Sequence, residues 1–144
     1  MRHGERVFVD TGAWIALALV RDPLHSRALP IWDAMMRAGA RTYTSIPVVM
    51  ETFTFLDRNA AREAAVAWRR GLVGVPRLEV LDCSSEVLAS AWTWFEDHDL
   101  PKLSAVDATS FVLMQRRRLR TAFTFDHHFA AAGFRLATSN ASAP

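Results

Sequence analysis

Residues 7–19 read VFVDTGAWIALAL, and this stretch decides the fold class. Val7–Val9 is a short run of β-branched and aromatic residues, which predicts a buried strand. Ala13–Leu19 is rich in Ala and Leu, which predicts a helix. Only three residues separate the two elements. A strand that passes so directly into a helix is typical of an α/β fold with a parallel sheet.

The same alternation continues along the chain. Helix-starting signals recur at Asp22-Pro23, Ser45, Ser84 or Ser85 and Ser104, and the first of these helices should reach about Ala38. Further strands are predicted at residues 42–44, 78–81, 121–125 and 134–137. We therefore expect a three-layer α/β/α fold, with a parallel sheet of about four or five strands covered by helices on both faces. Residues 1–137 should form a single domain, and residues 138–144 a flexible tail.

Composition excludes several classes of protein. Of the 144 residues, 51% are hydrophobic and 22% are charged, which is a globular and not a disordered composition. Cys83 is the only cysteine, so an intrachain disulfide and a cysteine-based zinc site are excluded, and a reducing, cytoplasmic setting is expected. The apolar run at residues 7–20 is interrupted by Asp10 and is shorter than the ~20 residues that span a bilayer. We expect no membrane segment.

Two acidic residues follow predicted strands directly. Asp10 comes after Val7–Val9, and Asp126 comes after residues 121–125. In a parallel α/β fold the carboxyl ends of strands are where sites are built. The alternative is that each aspartate caps the helix that follows it, which is a common role for this residue.

Two more acids lie near the starts of predicted helices. Glu51 lies on the helix opened by Ser45, and it either reaches solvent at the edge of the buried face or belongs to a site. Asp107 follows Ser104 by three residues, which is the position of a capping-box partner. All four acids belong to one rim of the predicted sheet, where their mutual repulsion requires compensating cations. Ligation by oxygen alone favours Mg²⁺ or Mn²⁺, and a pair of such ions suits phosphodiester hydrolysis by an activated water.

The chain resembles the PIN-domain ribonucleases, and more narrowly the VapC-type toxins of bacterial toxin–antitoxin pairs. The similarity covers essentially residues 6–137. The matching stretches are VFVDT at 7–11, Thr44-Ser45 through Glu51, LSAVDA at 103–108 and TFDHHF at 124–129.

This resemblance implies a PIN-like fold in which Asp10, Glu51, Asp107 and Asp126 hold the metal. It also implies a Mg²⁺- or Mn²⁺-dependent endoribonuclease that forms a homodimer and is silenced by a cognate antitoxin protein, often through an inserted Arg. Thr11 and Ser45 would help to orient ligands or water. Asp99, in the loop before the third motif, is an auxiliary acid or, more simply, a solvated residue.

The densest cluster of charge is basic. Arg116, Arg117, Arg118 and Arg120 follow one another at the end of a predicted helix, and all basic residues except Lys102 are Arg. Neutralising four acids would raise the net charge from +2 to +6, which suits a polyanionic substrate. Arg116, Arg117 and Arg120 are therefore predicted to bind RNA. The alternative is a favourable interaction of these cations with the helix dipole.

Other interpretations remain open at this point. A non-catalytic PIN-like module that binds RNA or a protein would be expected to lack one of the acids, and none is missing. A phosphatase of the haloacid dehalogenase type needs a second Asp two residues after Asp10, where Gly12 stands. His127 and His128 flank the last acid, and we expect a solvated or structural role because a hard-metal site needs no imidazole.

Overall fold

Five strands and seven helices alternate along residues 1–139, the part of the chain that the computed structural model describes. The strands are β1 (Arg6–Val9), β2 (Arg41–Ser45), β3 (Leu78–Leu81), β4 (Thr121–Phe123) and β5 (Arg135–Leu136). The helices are α1 (Thr11–Ala18), α2 (His25–Arg37), α3 (Ile46–Asn59), α4 (Arg62–Gly71), α5 (Ser85–Asp97), α6 (Ala105–Arg116) and α7 (His127–Ala131), with a 3₁₀ turn at Leu72–Gly74.

All five strands are parallel and form one sheet in the order β3-β2-β1-β4-β5. The central strand β1 pairs through Phe8 with Tyr43 on one side and Ala122 on the other. Val7, Phe8 and Val9 are all fully buried. Consecutive buried residues mean that both faces of β1 are covered, as the apolar run predicted. The predicted α/β class and its parallel sheet are confirmed.

The strand order places a topological switch point at the centre of the sheet. From β1 the chain moves outward through β2 to β3, and it then crosses back to β4 on the other side of β1. Because parallel crossovers are right-handed, helices α1–α4 cover one face of the sheet and α5–α7 cover the other. The connections that leave the carboxyl ends of β1 and β4 therefore run to opposite faces of the sheet and open a crevice between them, where α/β folds bind ligands.

The first helix is locked to the sheet by a buried hydrogen-bond chain. Trp14 donates from Nε1 to Oγ1 of Thr44 at 3.1 Å, and this hydroxyl donates to the carbonyl of Val9 at 3.0 Å. The Trp14 ring also packs against Trp32 and Trp68 at centroid distances of 5.8 and 6.0 Å. The connection between β1 and α1, which carries Asp10, is therefore held from both sides.

Two predicted element boundaries are wrong. Helix α2 begins at His25 and not at Asp22-Pro23, because the Asp22 carboxylate accepts from the backbone N–H of Leu24 at 2.9 Å and forms a turn ahead of the helix. Strand β4 ends at Phe123 and not at Phe125. Its next residue, Thr124, hydrogen-bonds with its side chain to groups beyond the strand.

The predicted limits of the domain and of its tail stay predictions. Thr138 and Ser139 belong to no helix or strand, and residues 140–144 lie outside the described residues. Within residues 1–139, no helix combines the length and the apolar character that crossing a bilayer requires.

The core beneath α5–α7 offers a test of packing. Phe111 is fully buried and makes edge contacts with Trp94 and Phe129 at centroid distances of 4.9 Å. Phe111→Ala should lower the free energy of unfolding by about 3–5 kcal/mol, because it leaves a cavity that rigid aromatic neighbours cannot fill. Val73→Ala, at a residue that is 93% exposed, should cost less than about 0.5 kcal/mol. Urea unfolding followed by circular dichroism measures both, and a loss below 1 kcal/mol for Phe111→Ala would contradict the packing.

Candidate active site

Asp10 is a buried carboxylate with half of its hydrogen-bonding capacity unused. It lies at the carboxyl end of β1 and is only 5% exposed. Asp10 occupies the N-cap position of α1, but its side chain makes no cap hydrogen bond to that helix. Oδ2 accepts from the hydroxyl of Thr124 at 2.9 Å, whereas Oδ1 has no hydrogen-bond partner among residues 1–139. A buried carboxylate oxygen without a hydrogen-bond partner destabilises the folded protein unless a ligand such as a cation binds it.

Thr124 connects the two acids that end strands. Its hydroxyl donates to Asp10 and accepts from the backbone N–H of Asp126 at 3.0 Å. The carboxyl ends of β1 and β4 are therefore joined by one side chain. No pattern in the sequence had indicated Thr124 as a site residue. The available signal was a β-branched hydroxyl two residues before an acid at the end of a strand, a position from which it can bond to the turn that follows.

Asp126 lies against a buried histidine. Its Oδ1 accepts from the backbone N–H of His128 at 2.9 Å, so the predicted cap of α7 is present. His128 Nδ1 is 2.7 Å from the same oxygen, and Nε2 is 2.7 Å from the carbonyl of Pro101. Because a carbonyl only accepts, Nε2 carries a proton. The side chain of His127 is 85% exposed, so the expected solvated role fits His127 and the structural one fits His128.

Asp107 caps a helix and belongs to the acidic cluster as well. Ser104 Oγ accepts from the backbone N–H of Asp107 at 3.0 Å, and the Asp107 carboxylate accepts in return from the N–H of Ser104 at 3.4 Å. The same carboxyl group lies 4.0 Å from Nδ1 of His128, and the charge of the neighbouring Asp126 acts on it. Capping places Asp107 at the first turn of α6, which holds it over the crevice.

The other three predicted residues lie around this cluster. Glu51 is half-buried and lines a cavity of about 530 Å³, and its charge acts on Asp10. Thr11 is 8% exposed, and its hydroxyl has no hydrogen-bond partner among the described residues. Ser45 is fully buried and caps α3 by accepting from the N–H of Val48 at 3.2 Å, as predicted. Through that helix Ser45 fixes the position of Glu51.

The carboxyl groups alter one another's pKa. Burial, followed by the charge of Asp107, raises the pKa of Asp10 to about 7. Burial and the neighbouring Asp126 raise the pKa of Asp107 to about 6. Burial acts in the same direction on Asp126, but hydrogen bonds from His128 and Asp107 outweigh it and lower the pKa. Of these two neighbouring acids, Asp107 is therefore the one that takes up a proton first as the pH falls.

The donor set fits a hard divalent cation. It offers carboxylate and hydroxyl oxygens, two of which, Asp10 Oδ1 and Thr11 Oγ1, are buried without a partner among residues 1–139. One atom each from Asp126, His127 and His128 also lies within 4.8 Å of the others. Among residues 1–139 no other such group is present, so no three of the four predicted acids converge as tightly.

Several predicted residues lie away from the acids. Asp99 is exposed in the loop between α5 and α6, as expected of a solvated residue. Arg116 lies 3.9 Å from Glu86, and Arg117 forms a bidentate ion pair with Glu79 at 2.9 and 3.0 Å. Arg116 ends α6 and Arg117 follows it, whereas Asp107 lies in its first turn, so nine residues of helix, about 14 Å long, separate Asp107 from Arg116. The structure does not bring these arginines to the predicted metal site.

The fold and this cluster of acids define the class of protein. The PIN domain family model matches residues 7–135, and the chain belongs to the PIN domain family. The resemblance inferred from the four sequence stretches is confirmed.

The particular relatives are VapC toxins. The chain is 38% identical over 129 residues to the 23S rRNA-specific endonuclease VapC20 of Mycobacterium tuberculosis, covering 89% of this chain and 95% of the relative. It is also similar to the crystal structure of VapC20, described as a sarcin-ricin loop cleaving toxin, with a TM-score of 0.77, 33% identity and the same coverage. The predicted class of enzyme, a nuclease, is supported by this relationship.

More distant structures share the fold. DNA-bound VapBC from Salmonella typhimurium has a TM-score of 0.66 at 17% identity, covering 94% of this chain and 99% of the other. FitAcB from Neisseria gonorrhoeae has a TM-score of 0.66 at 16% identity, covering 92% and 97%. At these identities the likeness concerns the architecture.

The raised pKa values predict how pH affects stability. Between pH 4 and pH 7 the metal-free native state holds protons on Asp10 and Asp107 that the unfolded chain has released, so these two groups lower the free energy of unfolding as pH rises. Asp10→Asn removes the contribution of Asp10, which is the larger of the two contributions to this pH dependence. Without divalent ions, we expect this variant to gain on the order of 2 kcal/mol relative to the unmodified protein between pH 5 and pH 8.

Divalent ions should reverse this dependence. Because ligation requires ionised carboxylates, 10 mM MgCl₂ should raise the melting temperature more at pH 8 than at pH 5.5. Asp10→Asn should lose most of that rise. Differential scanning fluorimetry measures both effects, with KCl of equal ionic strength as the control for screening. An equal rise in both proteins would show that Asp10 is not a ligand.

Proposed function

We propose that this protein is a Mg²⁺- or Mn²⁺-dependent endoribonuclease, the toxin of a VapBC-type toxin–antitoxin system. The observation that carries the proposal is the state of Asp10, whose carboxylate is buried beside other acids with one oxygen unpartnered among the described residues. A polypeptide gains no stability from such a group. A divalent cation turns the same group into a ligand.

The acids differ in the parts we assign to them. Asp10, Asp107 and Asp126 would hold the ion, with Glu51 at the rim of the crevice and the hydroxyl of Thr11 beside Asp10. A bound ion supplies a water activated for attack on phosphorus and stabilises charge on the leaving oxygen. Thr124 orients Asp10, and Ser45 positions the helix that carries Glu51. His128 holds Asp126 through the contacts described above, so it is a positioning residue.

RNA is the proposed substrate. VapC20, which shares 38% identity with this chain, is named as a 23S rRNA-specific endonuclease. Ribosomal RNA is therefore the first substrate to test. All four acids of the predicted metal site are present, so the alternative of a non-catalytic RNA- or protein-binding module loses the feature that would favour it.

The catalytic proposal is tested with a substitution that keeps the shape of the site. Purified protein should cleave RNA in the presence of Mg²⁺ or Mn²⁺ and stop in EDTA, and Asp10→Asn should lower the rate at least 100-fold because it removes a charged ligand. Asp33→Asn, at an exposed position on α2, is the matched control and should retain full activity. Cleavage is followed on gels with ribosomal RNA.

Two results would contradict it. Full activity of Asp10→Asn would remove the acids from the reaction. RNA binding by the unmodified protein without cleavage under any divalent ion would instead favour the non-catalytic module.

An antitoxin partner completes the proposed system. Without a divalent ion, the repulsion among Asp10, Asp107 and Asp126 favours a cation from another source. An Arg inserted by an antitoxin would satisfy the unpartnered oxygen of Asp10 and occupy the place of the ion. Such a complex would act in a reducing cytoplasm, where Cys83 stays a free thiol.

We also propose a homodimer, formed through α3 and α5. Exposed apolar side chains follow one another along each helix, and their exposed fractions lie between 39% and 66%. They are Ile46, Met50 and Phe55 on α3, and Leu88, Trp92 and Phe95 on α5. Apolar surface of this kind on a small domain is typical of an interface between subunits.

Substitution on one helix tests the dimer. Trp92→Glu should shift the protein from dimer to monomer in light scattering coupled to size exclusion, because it places a charge within an apolar contact. Val73 is more exposed, at 93% against 49% for Trp92, and lies outside both helices, so Val73→Glu should leave the mass unchanged. A monomeric unmodified protein at 100 μM would exclude the homodimer.

A further inference from the structure

A basic cavity of about 450 Å³ lies at the amino edge of the sheet. The start of β1, the start of β4 and the start of β5 all contribute to it. Its lining includes five arginines, Arg2, Arg6, Arg118, Arg120 and Arg135, together with His3 and one acid, Glu5. The five guanidinium groups are all exposed. One carboxylate is too few to balance them.

These arginines are not paired with acids. Among residues 1–139, none of the five lies within 4.0 Å of a carboxylate oxygen. Glu5 accepts instead from the hydroxyl of Thr121 at 2.8 Å. Elsewhere on the surface, by contrast, Arg62 is paired with Asp57 and Arg117 with Glu79. Among the described residues, five arginines without an ion pair therefore line this one cavity, where their mutual repulsion favours an anionic ligand.

Of the five arginines, only one makes side-chain hydrogen bonds that give it a structural role. Arg6 donates to the carbonyls of Arg117 and Arg118 at 3.1 and 2.8 Å, and so it satisfies the end of α6. Among the described residues, Arg2, Arg118, Arg120 and Arg135 make no side-chain hydrogen bond. Their guanidinium forks remain available.

The basic surface extends beyond one cavity. A neighbouring cavity of about 680 Å³ is lined by Arg118, Arg120 and Arg135 as well, so these three lie where the two cavities meet. Of the arginines that the sequence predicted for RNA binding, Arg120 belongs to this surface. We call the set of Arg2, Arg6, Arg118, Arg120 and Arg135 the amino-edge basic surface.

This surface is separate from the acidic site. Asp10 follows β1 and Arg6 begins it, and four residues of extended chain place their backbones about 13 Å apart. The edge strand β5 offers a path between the two. Its first residue, Arg135, lines the basic cavities, and the residues from Leu136 onward line a third cavity of about 460 Å³ that also includes Thr124. Thr124 bonds directly to Asp10.

We propose that the amino-edge basic surface is a second RNA-binding site, which grips the phosphate backbone of a structured RNA away from the bond that is cut. The inference rests on the proposed function for the identity of the polyanion. RNA fits better than a small anion, because the arginines are exposed and spread over two adjoining cavities, whereas a small anion is held by donors that converge on one point. Each guanidinium can bind a phosphate through two parallel hydrogen bonds.

The test separates binding from cleavage. Arg118→Gln/Arg135→Gln is introduced into the Asp10→Asn background, and binding of a 2′-O-methylated 25-base-pair RNA hairpin is measured at several KCl concentrations. Arg69→Gln/Arg70→Gln, two exposed positions on α4, removes the same charge and is the control. Arg118 has a φ of 55°, and Gln keeps the same backbone constraint there. Melting temperatures verify that both variants fold.

Loss of two phosphate contacts should lower the slope of log Kd against log [KCl] by about two, and the control should leave the slope unchanged. A slope equal to that of the control would overturn the proposal and leave an acidic protein segment as the occupant. When Arg118→Gln/Arg135→Gln is introduced into the protein that retains Asp10, cleavage of a hexanucleotide RNA should stay within twofold of the rate of the unmodified protein. A matching loss of hexanucleotide cleavage would also overturn it, since the arginines would then act at the cut bond.

A failure of the proposed function can be distinguished from a failure of the proposed RNA-binding surface. If the unmodified protein cleaves RNA with neither Mg²⁺ nor Mn²⁺, the ribonuclease assignment is wrong. The salt dependence measured on the Asp10→Asn protein still decides whether the basic surface binds RNA.

Discussion

The burial of the Asp10 carboxylate next to Asp107 is the constraint on which the rest of the site depends. A charge at 5% exposure, with a second acid nearby, opposes folding unless a proton or a cation compensates it. The fold tolerates it because β1 and α1 are fixed by a core that is much larger than the site. The Trp14–Thr44–Val9 chain of hydrogen bonds holds this connection, so the carboxylate cannot move away from its neighbours.

Helix capping and the site use the same side chains. Asp107 and Asp126 each begin a helix, α6 and α7, and each also belongs to the acidic cluster. The two roles are compatible because a cap needs one carboxylate oxygen and leaves the other free. Asp10 is different, since its side chain makes no cap hydrogen bond to α1 and accepts from the hydroxyl of Thr124. Side-chain capping therefore does not explain its burial.

Charge is distributed along the strand direction. Asp10 and Asp126 lie at the carboxyl edge of the sheet, and five arginines line one cavity at the amino edge, so a net charge of +2 conceals two ends of opposite charge. Local neutralisation is incomplete at both ends. An acidic end suits divalent cations and a basic end suits phosphates, and a polyanion brought to a metal site benefits from both.

The sequence by itself determined the α/β class and its parallel sheet of about four or five strands, because apolar runs and capping serines are local patterns that tertiary packing did not override. The four acids remain a predicted metal site. The sequence also placed the α6 cap correctly. The tertiary structure decided which residues that are distant in the sequence lie close together. Thr124 joins Asp10 to Asp126 only because β1 and β4 are neighbours, which no local pattern states. Arg116 and Arg117 lie between Asp107 and Asp126 in sequence, but the length of α6 carries them away from both acids, and each contacts a glutamate of another element.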